Sequence, residues 1–255
     1  MNTPEVLVET VDRVCVITIN RPQARNAIDH AVAAAVAAAA DELDRRDELT
    51  VGILTGAGGN FCAGMDLKAY LAGEIVEIGE RGLAGICQQP PAKPLIAAVE
   101  GWALAGGCEL ALACDLIVAA DDARFGLPEV KRGLVAGGGG LLRLPRRVPA
   151  SVALELALTG DPLPAADAHR VGLVNRLTEP GGALDAALQL AGRITPNGPL
   201  AVAATKEIIT RSADWTLGEG FRAQRPILDP VNASQDAHEG ARAFAEKRAP
   251  VWQGR

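Results

Sequence analysis

The stretch LIAAVEGWALAGGCELALACDLIVA, residues 95–119, decides the fold. Its first five residues, Leu95–Val99, are all apolar and predict a buried strand. A glycine-bearing turn follows, then an apolar helix is predicted to end near Cys114, and a second strand is predicted over residues 116–119. Strand, turn, helix and strand in this order are typical of an α/β protein.

The segments on the N-terminal side continue the alternation of strands and helices. Residues 5–10 and 14–19 are rich in β-branched side chains and flank a short turn, which predicts a hairpin. Asp29 can cap a helix over residues 31–45. A short buried strand is predicted over residues 51–55, and a glycine-rich loop follows it.

Two helices are expected between residues 66 and 89, and helices dominate after Pro149. In that last part of the chain helices are predicted over residues 151–159, 164–170, 183–194, 200–211, 217–227 and 234–248. A mixed α/β part is thus followed by a helical one. We divide the chain into a core of residues 1–195 and a helical C-terminal region of residues 196–255.

The composition excludes several classes of protein. Of the 255 residues, 49% are hydrophobic, so the chain can bury a large core. The formal net charge of −6 disfavours binding to nucleic acid, whose phosphate backbone requires a basic surface. No apolar run approaches the ~18–20 residues of a membrane span, and the first residues show no secretory signal. Five cysteines without a C-x-x-C pair favour a reducing compartment, so we expect a cytoplasmic protein.

Two glycine-rich turns each follow a predicted strand and open a helix. The first is FCAGMDL, residues 61–67, and the second is LAGGCEL, residues 104–110. The first N–H groups of a helix have no intrahelical acceptor, so two of them aimed at one carbonyl oxygen would form an oxyanion hole. A single turn of this kind more often serves packing or turn geometry, and that alternative stays open for each turn alone.

Two glutamates are candidates for acid–base chemistry. Glu109 lies in the first turn of an otherwise apolar helix, and Glu129 follows a turn that contains glycine and proline. Each has an ordinary explanation, since an acidic residue at a helix start complements the dipole and a glutamate in such a turn is typical of the surface. As a pair they could act as general acid and base on one water, with apolar walls raising at least one pKa.

Other chemistries find no support in the motifs. The four glycines at residues 137–140 lack the spacing of a dinucleotide-binding loop and follow no clear strand. A Gly-x-Ser-x-Gly motif is absent, so a serine hydrolase is not expected. His30, His169 and His238 are scattered along the chain, and we expect no metal site.

Taken together, the motifs resemble the crotonase (enoyl-CoA hydratase/isomerase) family. They are NRPxxxNA at residues 20–27, the two glycine-rich turns, and FGLPE at residues 125–129, in the order of that family, and residues 234–250 are similar to its last helix. The resemblance implies an α/β fold, a spiral of ββα turns with a C-terminal helical region. Residues 1–195 would then form the acyl-CoA-binding core, and residues 196–255 would assemble the chain into a trimer or a hexamer made of two trimers.

The same resemblance implies roles for individual residues. The backbone N–H groups of Met65 and Gly106 would hold the thioester oxygen of an acyl-CoA, and Glu109 and Glu129 would flank its α and β carbons. Because both glutamates are present, the resemblance favours an enoyl-CoA hydratase, a hydro-lyase of fatty acid metabolism that adds water to a 2-enoyl-CoA. The alternatives are an enoyl-CoA isomerase, a dehydratase of a hydroxyacyl- or carnitinyl-CoA, and a non-catalytic scaffold.

Contacts with the coenzyme A part of the substrate are also implied. Arg25 and Lys68 are candidates for holding its phosphates, although ordinary surface charge explains them equally well. Further substrate contacts are expected at the motif positions Ala27, Ala63, Asp66 and Leu67. Residues 66–89 should form walls of the acyl pocket, and Ala105 and Leu127 depart from the residues that many family members have. We expect no cofactor, because coenzyme A belongs to the substrate, and no metal, nucleic acid or membrane as a partner.

Overall fold

The computed structural model describes residues 4–255. Within this range the strands are β1 (Val6–Val11), β2 (Val14–Ile19), β3 (Val51–Gly56), β4 (Leu95–Val99), β5 (Trp102–Leu104), β6 (Leu116–Ala120), β7 (Arg124–Gly126), β8 (Leu163–Pro164) and β9 (Arg176–Thr178). The helices of the same range are α1 (His30–Arg45), α2 (Leu67–Leu71), α3 (Gly106–Ala113), α4 (Gly140–Arg147), α5 (Ala150–Thr159), α6 (Ala165–Arg170), α7 (Ala183–Ala191), α8 (Pro199–Ser212), α9 (Leu217–Ala223), α10 (Arg225–Asn232) and α11 (Gln235–Glu246). Short 3₁₀ helices cover Pro22–Ala24, Gly79–Arg81 and Pro128–Arg132.

The main sheet of the described chain joins six strands in the order β1-β2-β3-β4-β6-β9. β1 and β2 form an antiparallel hairpin, and the later pairs are parallel. Because successive side chains of a strand point to opposite faces, the strands contribute to a core on each side of the sheet. On one side Ile17 belongs to the same buried cluster as Val36 of α1, and on the other side Ile53 belongs to the cluster of Ala187 of α7.

A smaller sheet carries the turn that precedes α3. It joins β5, β7 and β8, with β5 parallel to β7 and β7 antiparallel to β8. A bridge between Cys62 and Ala103 places the first glycine-rich turn beside β5. Gly107 permits this close approach, because a side-chain carbon there would lie 2.1 Å from the carbonyl oxygen of Cys62. The two turns singled out in the sequence therefore meet at the start of α3.

Several predicted elements are confirmed by the structure. The N-terminal hairpin is present as β1 and β2, and the predicted strands at residues 51–55, 95–99 and 116–119 are β3, β4 and β6. The helix capped by Asp29 is α1, and the aspartate accepts a hydrogen bond from the Val32 N–H at 3.0 Å. These elements have strong local patterns, which is why the sequence alone predicts them.

The prediction of a second helix that ends near residue 89 is wrong. After α2 the chain is irregular apart from the 3₁₀ helix Gly79–Arg81 and an isolated bridge. Four glycines of this segment have a positive φ, a backbone conformation that terminates helices. They are Gly73, Gly79, Gly82 and Gly85. The predicted helix over residues 217–227 is likewise divided into α9 and α10, because Pro226 has no N–H to continue the first of them. The helical part also contains two strands that the sequence pattern did not show, β8 and β9.

The last four helices, α8 to α11, follow the core and are linked to it by Lys206. The Lys206 ammonium lies 2.7 Å from the Asp115 carboxylate and donates to the carbonyl oxygens of Pro91 and Lys93. These helices leave large apolar side chains exposed, namely Ile209, Leu217, Phe221 and Phe244. In the part of the chain that the structure describes, no helix combines the length and apolar character needed to cross a membrane.

Candidate active site

A cavity of about 400 Å³ opens where the two glycine-rich turns meet. Most of its walls are apolar side chains, among them Leu67, Tyr70, Val76, Leu83, Leu104, Leu134 and Val135. Four ionisable side chains also reach it, namely Glu77, Glu109, Glu129 and Arg132. Apolar walls with a few convergent polar groups are the usual form of a small-molecule site.

A second hollow, of about 580 Å³, lies beside α11 and the C-terminal residues. Its lining is charged or polar apart from Val251, and Glu239 and Arg248 in it form an ion pair of 2.6 Å. It offers no apolar walls for an acyl chain. The smaller hollow is therefore the candidate active site.

Met65 and Gly106 line this cavity, one from each glycine-rich turn. The residues around Met65 are fixed by a bridge in which the Ile28 N–H donates to Gly64 and the Asp66 N–H donates to Ile28, both at 2.8 Å. Within residues 4–255, neither the Met65 N–H nor the Gly106 N–H has a protein acceptor. A carbon on Gly106 would lie 3.6 Å from the Met65 nitrogen, so the two donors are close enough to bind one oxygen atom.

Ala105 holds the start of α3 in an unusual backbone conformation. Its φ of 50° and ψ of −127° lie in a region that residues with a side chain rarely adopt. The Ala105 N–H donates to Gly126 at 2.8 Å, which fixes this conformation from the small sheet. Backbone strain is thus stored directly beside the Gly106 donor, as is common at functional sites.

Glu109 is the more deeply buried of the two candidate acids, with 4% of its surface exposed. It lies in the first turn of α3, and its Oε1 accepts a hydrogen bond from the Gly140 N–H at 2.9 Å. Burial raises the pKa of Glu109, the Gly140 N–H opposes that rise, and the nearby charge of Glu129 adds to it. The carboxylate form is therefore costly but directly stabilised by a backbone donor.

Glu129 reaches the cavity from a different element, the 3₁₀ helix Pro128–Arg132. It is half-buried, and in residues 4–255 its Oε2 atom is buried without a hydrogen-bond partner. Burial raises the pKa of Glu129, and its own backbone N–H and then the positive charge of Arg132 oppose the rise. A buried carboxyl oxygen without a donor favours the protonated form of the acid.

The two carboxyl groups therefore differ in what stabilises them. Glu109 accepts a hydrogen bond from Gly140 of another element, whereas Glu129 has only its own backbone N–H as a backbone donor and one buried oxygen without a partner. Because the charge of Glu129 raises the pKa of Glu109, ionisation of both carboxyl groups at once is disfavoured. The cavity thus brings together two carboxyl groups and two backbone N–H groups that have no acceptor within residues 4–255.

The chain matches a family model described as enoyl-CoA hydratase/isomerase over residues 9–255. The protein belongs to the enoyl-CoA hydratase/isomerase family. A crystal structure of an enoyl-CoA hydratase from Mycobacterium marinum is 65% identical to it and superposes with a TM-score of 0.97 over 99% of this chain and 100% of that one. An enoyl-CoA hydratase of Mycobacterium tuberculosis is 42% identical over 99% of this chain and 97% of its own length. A carnitinyl-CoA dehydratase of Salmonella typhi is 44% identical over 94% of each chain.

Membership of the enoyl-CoA hydratase/isomerase family confirms the predicted crotonase fold. The likeness to the hydratase structures extends over nearly the whole chain, so it includes both the α/β part and the C-terminal helices. The resemblance drawn from short motifs is therefore correct at the level of family and fold. The individual roles of the motif residues remain predictions.

Six of the ten residues predicted at the site line the cavity of this family member: Ala63, Met65, Leu67, Gly106, Glu109 and Glu129. The other four lie outside that lining. Arg25 and Lys68 are exposed beside the turns, and the carbonyl oxygen of Ala27 accepts a hydrogen bond from Arg21. Asp66 caps α2 and pairs with Arg21 at 3.2 Å, so its carboxylate is already engaged within the protein.

The sequence analysis missed the part that the four-glycine run plays in this family member. Gly140 donates to Glu109, and a side chain on Gly138 would lie 2.7 Å from the Oε2 of the same glutamate. The run therefore packs directly against the buried acid. Four consecutive glycines before a helix indicate that another group lies close to the backbone there. The sequence does not show which group this is, because Glu109 lies about thirty residues before Gly140.

Proposed function

We propose that this protein is an enoyl-CoA hydratase, which adds water across the double bond of a 2-enoyl-CoA intermediate of fatty acid metabolism. The observation that carries the proposal is the pair of Glu109 and Glu129, which reach one cavity from two different elements, both with a pKa raised by burial. Hydration needs a base and an acid at neighbouring carbon atoms, whereas an isomerisation needs one shuttling group. The 65% identity to a protein named enoyl-CoA hydratase supports the same conclusion.

The two free N–H groups account for the activation of the thioester. The carbonyl oxygen would accept hydrogen bonds from the Met65 and Gly106 N–H groups, and the β carbon would become more electrophilic. As water adds, negative charge moves to this oxygen in an enolate. Donors that are in place before the reaction stabilise that charge without reorganisation, and loss of one typically costs ~2.7–4 kcal/mol.

The two glutamates account for the proton transfers. Ionised Glu109 would accept a proton from the water as its oxygen bonds to the β carbon, and protonated Glu129 would give its proton to the α carbon. Glu109 then ends protonated and Glu129 ionised, and exchange with solvent restores the starting state. Glu109 and Glu129 thus account for both proton transfers. The proposed reaction uses no cofactor, because the coenzyme A is part of the substrate.

The test is turnover of crotonyl-CoA, followed by the loss of absorbance of the conjugated thioester. Straight-chain enoyl-CoAs from four to sixteen carbons should be compared, and the product formed in heavy water should carry one deuterium at the α carbon. Turnover of at least one of these esters with that labelling is the expected result. If no 2-enoyl-CoA is turned over but a 3-enoyl-CoA is, the protein is an isomerase and not a hydratase.

A second candidate is a dehydratase of carnitinyl-CoA, the activity in the name of a 44% identical relative. The observation in its favour is that Tyr70 and Glu77 both line the cavity. An aromatic face and a carboxylate are the groups that bind a quaternary ammonium ion. Including carnitinyl-CoA and crotonobetainyl-CoA in the substrate panel distinguishes the two, and a preference for these esters over crotonyl-CoA favours the dehydratase.

For assembly we propose a homotrimer or a hexamer of two trimers, formed through residues 196–255. The exposed apolar side chains of the last helices support this, since Leu217 is 81% and Phe244 is 88% exposed in the single chain. We also propose a cytoplasmic location, which five free cysteines support. Sedimentation equilibrium should give the mass of a trimer or hexamer, and an active monomer would contradict the assembly.

A further inference from the structure

Arg21 follows β2 and has a side chain of which only 14% is exposed. It contacts three carboxylates, those of Glu5 at 3.5 Å, Asp29 at 3.0 Å and Asp66 at 3.2 Å. Its Nη1 also donates to the carbonyl oxygen of Ala27 at 2.7 Å. A buried guanidinium with this set of partners holds several segments of the chain together, because its planar head donates in several fixed directions.

The two aspartates use their oxygens in the same way. Asp29 caps α1 with its Oδ1 and pairs with Arg21 through its Oδ2. Asp66 caps α2 with its Oδ1 and pairs with Arg21 through its Oδ2. The difference between them is their position. Asp66 directly follows Met65, whereas Asp29 follows Ile28, the bridge partner of Met65, and can affect the donor only through that bridge.

We infer that Arg21 is a positioning residue of the oxyanion hole, acting on the Met65 N–H through its ion pair with Asp66. The backbone of Asp66 is fixed by its hydrogen bond to Ile28, and the side chain of Asp66 is fixed by Arg21. Together these contacts hold Asp66, the residue that follows Met65, while the bond from the Ile28 N–H to the Gly64 carbonyl oxygen holds the peptide unit that carries the Met65 N–H. A displacement of Asp66 would therefore shift Met65 and its donor from the C-terminal side. The inference rests on the proposed function, because it concerns the same thioester oxygen.

A matched pair of substitutions tests this role. Asp66→Asn and Asp29→Asn each keep the capping Oδ1 and replace the Oδ2 that pairs with Arg21 by an amide. Both should lower the melting temperature by similar amounts. Only Asp66→Asn should displace the Met65 donor, and a misplacement of up to ~1 Å predicts a loss of kcat of about 10- to 100-fold. For Asp29→Asn we expect kcat within about 3-fold of the unchanged protein, and KM should change little in either variant.

A second readout does not depend on turnover. An arylacryloyl-CoA with an electron-donating ring substituent absorbs at longer wavelength when its carbonyl is polarised, so its bound spectrum reports the oxyanion hole directly. The red shift should be smaller in Asp66→Asn than in Asp29→Asn. Arg21→Lys keeps the charge but not the planar head, and it should reduce the red shift as Asp66→Asn does. In the double variant Arg21→Lys, Asp66→Asn, the losses of kcat and red shift should be no larger than in the more affected single variant. Both substitutions break the same contact between Arg21 and Asp66, so their effects should not add.

Three results would overturn the inference. Equal losses of kcat and red shift in Asp66→Asn and Asp29→Asn would mean that Arg21 only stabilises the fold. A weaker binding of the ester by Asp66→Asn with unchanged kcat and red shift would place Asp66 in direct contact with coenzyme A. Additive losses in the double variant would separate Arg21 from Asp66. By contrast, a wild-type red shift without any hydration of 2-enoyl-CoAs would contradict the proposed function and leave the positioning role intact.

Discussion

The close approach of Gly138 to Glu109 predicts that one added methyl group disables the site without unfolding the protein. In Gly138→Ala the new carbon would lie 2.7 Å from the Glu109 Oε2, 3.0 Å from its Cδ and 3.0 Å from the Leu83 Cδ2. Favourable carbon contacts lie at ~3.5–4.0 Å. Because Leu83 closes one side, the glutamate head must move by roughly 0.5–1 Å, away from its hydrogen bond with Gly140.

The size of the effect follows from that displacement. General acid–base catalysis contributes ~10²–10⁴-fold, and a displacement near 1 Å can cost ~10²-fold. We therefore expect Gly138→Ala to lower kcat by about 10- to 100-fold. The flexible end of Glu109 absorbs the strain, so the melting temperature should change by only a few degrees.

The neighbouring glycine provides the control. Gly137 lines the same cavity, but it is exposed, it adopts no positive φ, and a methyl group added to it would meet no other atom within 4 Å. Gly137→Ala should therefore keep kcat within about 2-fold. Initial rates of crotonyl-CoA hydration, with thermal melts of each variant, make the comparison. Equal activity of the two variants, or equal losses in both, would refute the reasoning that the glycine run is fitted to Glu109.

Three further predictions concern the turn at Ala105 and Gly106 and the side chain of Glu129. Gly106→Pro removes a donor N–H and should cost at least ~2.7–4 kcal/mol of transition-state stabilisation, so activity within a few-fold of the unchanged protein would contradict the donor role. Ala105→Gly should raise the melting temperature, because the strained φ and ψ of Ala105 cost ~1–3 kcal/mol and glycine adopts that conformation freely. A lower melting temperature of this variant would argue against strain at Ala105. Burial raises the pKa of Glu129, so the folded protein keeps a proton that the unfolded chain has released, and stability falls as pH rises between the two pKa values. Glu129→Gln should therefore stabilise the protein near neutral pH and much less near pH 4, and an equal gain at both pH values would contradict the raised pKa.

Elements with strong local patterns could be predicted from the sequence. The hairpin of β1 and β2 follows from β-branched residues around a turn, and α1 follows from a capping aspartate and a long run of helix-forming residues. Motifs read together also identified the family, and with it six of the residues that line the cavity. No single motif was sufficient, because each glycine-rich turn has an ordinary packing explanation.

Features that depend on contacts distant in sequence could not be predicted. The segment after α2 has a helical composition, but its irregular path follows from glycines whose positive φ is set by packing, such as Gly85 against Ala37 of α1. Arg21 belongs to the NRPxxxNA motif, but the motif does not show its three carboxylate partners, which come from three separate segments. The contact of the glycine run with Glu109 joins two helix starts that meet only in the folded protein.

The joint action of Glu109 and Glu129 on one water is the core of the proposed reaction. It is tested most directly by the hydration rate of 2-enoyl-CoA in Glu109→Gln, Glu129→Gln and the double variant, with the dissociation constant of an unreactive acyl-CoA measured in parallel. Each single substitution should lower kcat by ~10²–10⁴-fold and leave ester binding nearly unchanged. The double variant should be little worse than the worse single, because residues that act as one unit are not additive. Full hydration by Glu109→Gln, with loss of 3-enoyl-CoA isomerisation only in Glu129→Gln, would contradict the account.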